Sequence, residues 1–309
     1  EDPCQSRPTA GIVGGDLLRH FRLGLDYKAG RAYLFRGPEA DDATLDADTE
    51  PPLRVPLEVL GGGTVAGLAG VEGSVGVPGT RLVVARVRVE GRDEVAVIDT
   101  GASLNLIGTR LLKRLGDTGG RPQLCCTGVT TLGGAVRARV LRVKSIELGG
   151  ARVDSVAALA AAGLDSLLAG LSGEIGREVD LLLGGSFLRE FTARYDYGAG
   201  APELRRYRSP THIDRDEFVG PGFSFCEARH VTDPKSGADV PVGMRVLDVY
   251  QGTDASDQGV AAGSLVVAVD GSSVVGKSAE QALQLIRKHA VGETVKLSFK
   301  ATPADIVRQ

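Results

Sequence analysis

The residue best placed to do chemistry is Asp99. Four apolar residues, Val95-Ala96-Val97-Ile98, run into Asp99-Thr100-Gly101-Ala102-Ser103, and a second apolar segment, Leu104-Asn105-Leu106-Ile107, follows. A carboxylate at the end of an apolar strand is costly to bury without partners. Chemistry is one reason to keep it there, because a positioned carboxyl can take or give a proton in a reaction. A bare D-T-G is more often a turn at a strand end. Asp117-Thr118-Gly119, in a polar stretch after a helix, is such a case. The apolar flanks set Asp99 apart from it.

Several elements must position this segment. From Val83 to Glu90 the chain largely alternates, with Val83, Ala85, Val87 and Val89 on one face and Arg86, Arg88 and Glu90 on the other. Only Val84 breaks the pattern, which predicts a half-buried strand. Gly91-Arg92-Asp93 reads as a hairpin turn, and Val95–Ile98 as a buried strand. A short helix is expected over Thr109–Leu115, ended by Gly116. Strands are expected at Leu53–Leu60, Val136–Val143 and Ser145–Leu148.

An internal repeat organises the rest. Ile12 to Tyr27 reads IVGGDLLRHFRLGLDY, and Leu182 to Tyr197 reads LLGGSFLREFTARYDY. At a constant offset of 170 the two share seven identities in sixteen positions: both glycines, Leu18/Leu188, Arg19/Arg189, Phe21/Phe191, Asp26/Asp196 and Tyr27/Tyr197. Chance would give about one, so this is a duplicated structural unit. Each copy predicts an apolar pair, two glycines, a Leu/Phe helical turn and a strand ending in Asp-Tyr. The glycines allow a close backbone approach or a positive φ.

The chain has 309 residues, 42% of them hydrophobic, which suits two or three domains. The 43 glycines and short Val/Leu runs point to a turn-rich, mainly β protein. The net charge of −3 argues against a basic nucleic-acid surface, so no nucleic-acid partner is expected. No stretch reaches the roughly 18 uncharged apolar residues of a membrane span; Gly163 and Asp165 break the Ala/Leu-rich run from Val156 to Leu171. The first residue is Glu1, so either a targeting segment has been removed or the sequence starts inside a longer protein. Cys4, Cys125, Cys126 and Cys226 match no zinc spacing. The adjacent Cys125 and Cys126 are not expected to bridge each other, and the redox compartment stays open. His20, His212, His230 and His289 are scattered, so neither a metal nor a cofactor is expected. Gly61-x-Gly63-x-x-Ala66 formally matches a dinucleotide loop but leads into more glycines rather than a helix. Gly184-Gly185-Ser186 lacks the full pattern of a nucleophile elbow.

The boundaries follow from these patterns. Residues 1–36 hold the first repeat copy. The acidic run from Glu39 to Glu50, closed by Pro51-Pro52, places an exposed linker at 37–52. Residues 53–209 hold the D-T-G segment and the second copy, and a composition break near Ser209-Pro210 opens a last unit, 210–309. That unit predicts strands at Met244–Tyr250, Leu265–Val269 and Val295–Phe299. Its one clear helix begins with the capping-box pattern Ser278-x-x-Gln281 and has Ala282, Leu283, Leu285 and Ile286 on one face.

The strand-DTGAS-strand segment resembles the hallmark of retropepsin- and pepsin-like (clan AA) aspartyl proteases. The resemblance implies a closed β lobe in which Leu182-Leu183-Gly184, 85 positions after Asp99, packs against the catalytic loop. It implies that Asp99 is half of an aspartate dyad, that Thr100 locks two such loops together, that Gly101 leaves room and that Ser103 holds the outer carboxylate oxygen. A flap over the substrate is expected at Gly128–Gly134, with Gly133 and Gly134 at its tip. Ile12-Val13-Gly14 would close an earlier lobe, whose own D-T-G would fall about seventy residues before residue 1. The partner aspartate would then come from an upstream lobe or from a second chain in a homodimer.

Residues 243–299 resemble a PDZ domain of the kind attached to bacterial proteases, through Met244–Tyr250, Gly252 to Gly263 and Leu265–Gly271. Gly220-Pro221-Gly222-Phe223, with Ser224 and Phe225, resembles its carboxylate-binding loop, and Leu283 and Ile286 would border the peptide groove. Pro221 removes one backbone donor there. The resemblance implies a mainly β fold of a retropepsin-like lobe, a partial first lobe and a PDZ-like domain. It implies an endopeptidase acting on peptide or protein substrates and exported to the bacterial envelope, periplasm or beyond. The alternative is a catalytically silent, protease-derived binding or scaffold protein.

Overall fold

The computed structural model describes residues 13–36, 48–61, 81–116, 121–131, 134–196, 202–209, 218–228, 230–232, 234–237 and 239–300. The protein is mainly β, with 46% strand and 17% helix. It divides into two compact units, Ile12–Gln123 with Val129–Arg215, and Asp216–Gln309 with Leu124–Gly128. Most of the expected linker, the glycine-rich run with Gly63 and Ala66, Asp117–Gly119 and Gly133 lie outside the described residues.

In the first unit, the larger sheet runs in the order Leu57–Gly61, Arg81–Val89, Arg92–Ile98, Leu181–Leu183, Asn105–Ile107, Ala151–Ala160 and Gly134–Leu148. Arg81–Val89 pairs with Arg92–Ile98 and also with Gly134–Leu148, through Val87 opposite Leu148 and Val89 opposite Ile146. The sheet therefore curls back on itself, and Val87, Val89, Leu141, Ile146, Leu181 and Leu183 fill its interior. Arg86 and Arg88 point to solvent as their alternation requires, and Val84 is buried as well. Glu90 and Gly91 turn the hairpin, both with positive φ.

Some boundaries differ from the sequence reading. The strand expected over Leu53–Leu60 is two short strands, Leu53–Arg54 and Leu57–Gly61, in different sheets. Pro56 stands between them, and proline has no N–H to give a ladder. The two strands expected between Val136 and Leu148 are one, Gly134–Leu148. The Ala/Leu-rich run is the end of the strand Ala151–Ala160 and then the helix Ala162–Ile175. That helix buries Leu164 and Leu168 and ends at Gly176, which takes the left-handed conformation that closes many helices. No helix among the described residues is long and apolar enough to cross a membrane.

The smaller sheet of this unit joins the two repeat copies. Its order is Arg31–Phe35, Arg22–Asp26, Phe191–Asp196, Glu203–Arg206 and Leu53–Arg54, antiparallel throughout. Each copy has the expected helical turn, Gly15–Leu18 and Gly185–Leu188, before its strand.

The second unit has a five-stranded sheet in the order Phe223–Glu227, Met244–Val249, Leu265–Val269 and Ser272–Ser273, with Leu297–Lys300 also paired to Leu265–Val269. His230–Thr232 and Asp239–Pro241 form a separate two-stranded ribbon. The helix Ala279–Ile286 starts at the Ser278 cap, and both arms of the capping box form: Gln281 N donates to Ser278 Oγ, and Ser278 N donates to Gln281 Oε1. Phe223, Met244, Val246, Val266, Val269 and Ile286 are in its core.

Cys125 and Cys126 are joined by a disulfide, against the expectation for neighbours. The peptide between them is cis.

Candidate active site

Asp99 leaves the end of the Arg92–Ile98 strand, which runs parallel to Leu181–Leu183 with Ile98 opposite Leu183. Asp99 N donates to Leu183 O at 2.9 Å, so the ladder reaches one residue into the loop and fixes where the aspartate sits. Leu181–Leu183 also pairs antiparallel with Asn105–Ile107. The segment before the loop and the segment after it are thus both strapped to one short strand.

Inside the loop, Gly101 N donates to Asp99 Oδ1 at 2.8 Å. Such a bond orients the carboxylate. A Cβ on Gly101 would stand 3.2 Å from the same oxygen, which is why a side chain there would crowd the carboxylate. Asp99 and Thr100 are half-buried, whereas Gly101 and Ser103 face solvent. The carboxylate is held from behind and open in front, as a group that meets a substrate must be.

Gly184 and Gly185 lie directly beneath. Gly185 N donates to Ala102 O at 2.8 Å. A Cβ on Gly185 would fall 2.6 Å from Ser103 O, and one on Gly184 would collide with the Leu104 carbonyl. Gly184 has φ −118°, an ordinary extended value, so its need for glycine is the close approach and not the backbone angle.

Sequence reasoning missed the polar lock under this loop. Asn105 and Ser186 are buried. Asn105 N donates to Ser186 Oγ at 2.9 Å, Gly184 N donates to Asn105 Oδ1 at 2.8 Å, Asn105 Nδ2 donates to Ala157 O at 3.1 Å, and Ser186 Oγ donates to Ala157 O at 2.7 Å. Three segments far apart in sequence meet at two side chains, with their hydrogen bonds made. The one local signal was a polar residue inside each apolar run.

A second support is ionic. Asp180, which opens into Leu181–Leu183, is buried and receives Arg110 Nε and Nη2 at 2.8–3.0 Å and Arg114 Nη2 at 2.8 Å. Burial alone would raise the Asp180 carboxyl, but the two guanidiniums outweigh it and hold it below its usual value. Gly108 N donates to Asp180 O at 2.8 Å, and Asp165 accepts from Thr109 N and Thr109 Oγ1. The helix Thr109–Arg114 is therefore clamped at its start and along its length.

Tyr27, from the first repeat copy, also lies within reach of this charge. Burial first, and then the negative charge of Asp99, raise its phenol above the ordinary value.

The other expected residues fall as follows. Gly134 begins the strand Gly134–Leu148, three positions after Thr131 ends the strand Gln123–Thr131. In the second unit, Gly222 has φ +79°, and a Cβ on it would stand 2.7 Å from Thr253 Oγ1. Thr253 Oγ1 donates to Gly222 O, as does Tyr250 N. Phe223 and Ile286 are buried in that unit's core, while Ser224, Phe225 and Leu283 are half-exposed. Ala279 N donates to Glu227 Oε1, which ties the helix start to the Phe223–Glu227 strand. That strand pairs antiparallel with Met244–Val249. Among the described residues, no group of three or more His, Cys, Asp or Glu side chains is disposed to hold a metal.

The chain has no significant match among curated proteins. Among solved structures it is similar to a retropepsin-like aspartic protease from Rickettsia conorii, at 18% identity and a TM-score of 0.32, over 51% of this chain and 93% of that one. Residues 85–187, which carry Asp99, both strapping strands and the paired glycines, match the model of the aspartyl protease family.

Proposed function

We propose that the chain is an aspartic endopeptidase in which Asp99 is half of a dyad. One observation carries this reading: the Asp99 loop is seated on Gly184 and Gly185 with a half-exposed carboxylate, inside the segment that matches the aspartyl protease family. Two carboxylates about 3 Å apart cannot both ionise and share one proton. The ionised member takes a proton from water, and the water attacks the scissile carbonyl. The protonated member donates to the carbonyl oxygen, giving a diol; the C–N bond then breaks as the dyad protonates the leaving nitrogen and takes a proton back from the diol, and no covalent intermediate with the enzyme forms. Thr100 would lock the two loops, Ser103 would hold the outer carboxylate oxygen, and Gly133 and Gly134 would lie in the flap. The second aspartate would come from an upstream lobe or a second chain.

We assign residues 210–309 a PDZ-like role in recruiting substrates. The half-exposed Ser224 and Phe225 on the strand Phe223–Glu227 support addition of an extended peptide there. The half-exposed Leu283 would contact that peptide's side chains, and the positive φ of Gly222 suits a loop of inward-facing backbone N–H groups. The resemblance of this unit to protease-linked domains supports export to the bacterial envelope.

The experiment that tests hydrolysis is digestion of a peptide library in water enriched in oxygen-18. Direct attack by water places one heavy oxygen in each new carboxylate, and a pepstatin-type inhibitor abolishes the products. The second reading is a silent, protease-derived binder. It is favoured by one observation, that the other D-T-G, at Asp117, lacks an apolar strand before it. Peptide binding to the chain with no cleavage under any condition would select it.

A further inference from the structure

Cys226 lies on the strand Phe223–Glu227 and is disulfide-bonded. The chain has four cysteines, and none is free. Cys125 and Cys126 are joined to each other. Within one chain the bond of Cys226 therefore points to Cys4, which lies outside the described residues. The proposed hydrolysis uses neither cysteine.

The place of Cys226 shows where such a bond leads. Phe223 is buried, and Phe225 packs against the core of the second unit. Side chains alternate along a strand, so Cys226 projects from the face opposite to that of Phe225. Arg245 stands across from Cys226 in the ladder with Met244–Val249. A segment that brings Cys4 to Cys226 therefore runs along the other edge of Phe223–Glu227. A disulfide holds its two Cα atoms about 4.4–6.8 Å apart. Opposed residues of an antiparallel pair stand about 4.5–5.5 Å apart. The bond thus fits a Cys4 carried on a neighbouring strand. The helix Ala279–Ile286 is tied to the same strand, with Ala279 N donating to Glu227 Oε1 at 3.0 Å.

The sequence around Cys4 suits an extended peptide. Pro3 and Pro8 bracket Cys4-Gln5-Ser6-Arg7. A residue before proline is driven to extended backbone, which applies to Asp2 and Arg7. Proline has no N–H to give a ladder, so the four residues between the prolines are the ones that can donate. Their number nearly matches the five residues of Phe223–Glu227.

We infer that Cys4 is bridged to Cys226 and that Cys4–Arg7 lies along Phe223–Glu227 as a resident peptide. The occupant of the groove is this chain's own segment, and a substrate peptide reaches the strand only by displacing it. The bridge holds one end of the segment beside the strand and keeps its effective concentration high. The inference rests on reading residues 210–309 as a peptide-recruiting unit.

The test uses the oxidised 309-residue chain. Proteolysis without reductant, followed by mass spectrometry, should give a peptide pair joined through Cys4 and Cys226. Hydrogen exchange should show slow amides within Gln5–Arg7, and these should exchange about tenfold faster or more in Cys4→Ser. The binding probe is a fluorescein-labelled peptide of residues 1–9 carrying Cys4→Ser. It should bind the Cys4→Ser chain at least about tenfold more tightly than wild type, since the loosened segment competes at a lower effective concentration. Cys226 bridged to any other cysteine, or fast amides over Gln5–Arg7 in the oxidised wild type, would overturn the inference. Both of those measurements need only wild type, so they decide even where Cys4→Ser unfolds. Equal probe binding to the two proteins would overturn the inference and leave peptide recruitment standing. Slow amides with no probe binding to either protein would support the resident peptide and count against recruitment alone.

Discussion

Gly185 lies so close beneath Ser103 that a Cβ on it would fall 2.6 Å from the Ser103 carbonyl oxygen. Gly184 is as tightly set against Leu104. The Asp99 loop has no room to settle lower, and its height over the sheet is fixed by two absent side chains. Gly184→Ala should push the loop outward. We expect a loss of about 1–3 kcal/mol in stability from overpacking, read by urea denaturation, and a larger fall in kcat than in KM. Unchanged stability would mean that the loop is more compliant than this packing implies.

Removing the polar lock should cost more than a surface hydrogen bond. Asn105→Ala leaves the buried Gly184 N without its acceptor and takes one donor from Ala157 O. The expected loss is about 2–3 kcal/mol, the desolvation cost of buried groups left unpaired. Asn105→Asp should not rescue it, because Asp lacks the donor that reaches Ala157 O. Chemical denaturation of the three proteins measures this.

The ionic clamp predicts an acid limb of stability. The folded-state pKa of Asp180 is depressed, so its contribution is present above the ordinary aspartate value of about 3.9 and is lost as pH falls through the lower folded value. Wild type should lose stability below about pH 4 more steeply than Asp180→Asn. Asp180→Asn should itself be destabilised at neutral pH, by about 2 kcal/mol, since the exposed Arg110 head discounts a fully buried pair. Thermal unfolding across pH measures both slopes. Parallel curves would remove Asp180 from the clamp.

In the second unit, Gly222→Ala meets both a positive φ and Thr253 at 2.7 Å. It should destabilise that unit by about 1–3 kcal/mol. Leu283→Asp, at a half-exposed position, should leave the Tm unchanged and weaken peptide binding by calorimetry on the full chain. Unaltered binding would take Leu283 out of the groove.

The Asp99 segment was legible as a strand-loop-strand unit because its signals are local. An apolar run, D-T-G and another apolar run are adjacent, and the capping box at Ser278 spans four residues. The repeat was legible by identity, but not that its copies pair with each other, since strand register between distant segments leaves no mark in either one. The lock at Asn105 bridges separations of 81 and 52 residues, and the Asp180 clamp one of 70. Periodicity carries no information at that range. The helix Ala162–Ile175 escaped notice because Ala161 offers no side-chain cap and Gly163 interrupts its start.

The measurement closest to the central claim is peptide hydrolysis by Asp99→Asn in the protein, with circular dichroism to confirm the fold. The substitution keeps an acceptor for Gly101 N and removes the titrating carboxyl. Hydrolysis should fall by about 10²–10⁴-fold while the Tm holds. A folded Asp99→Asn protein that cleaves at nearly the wild-type rate would contradict the account.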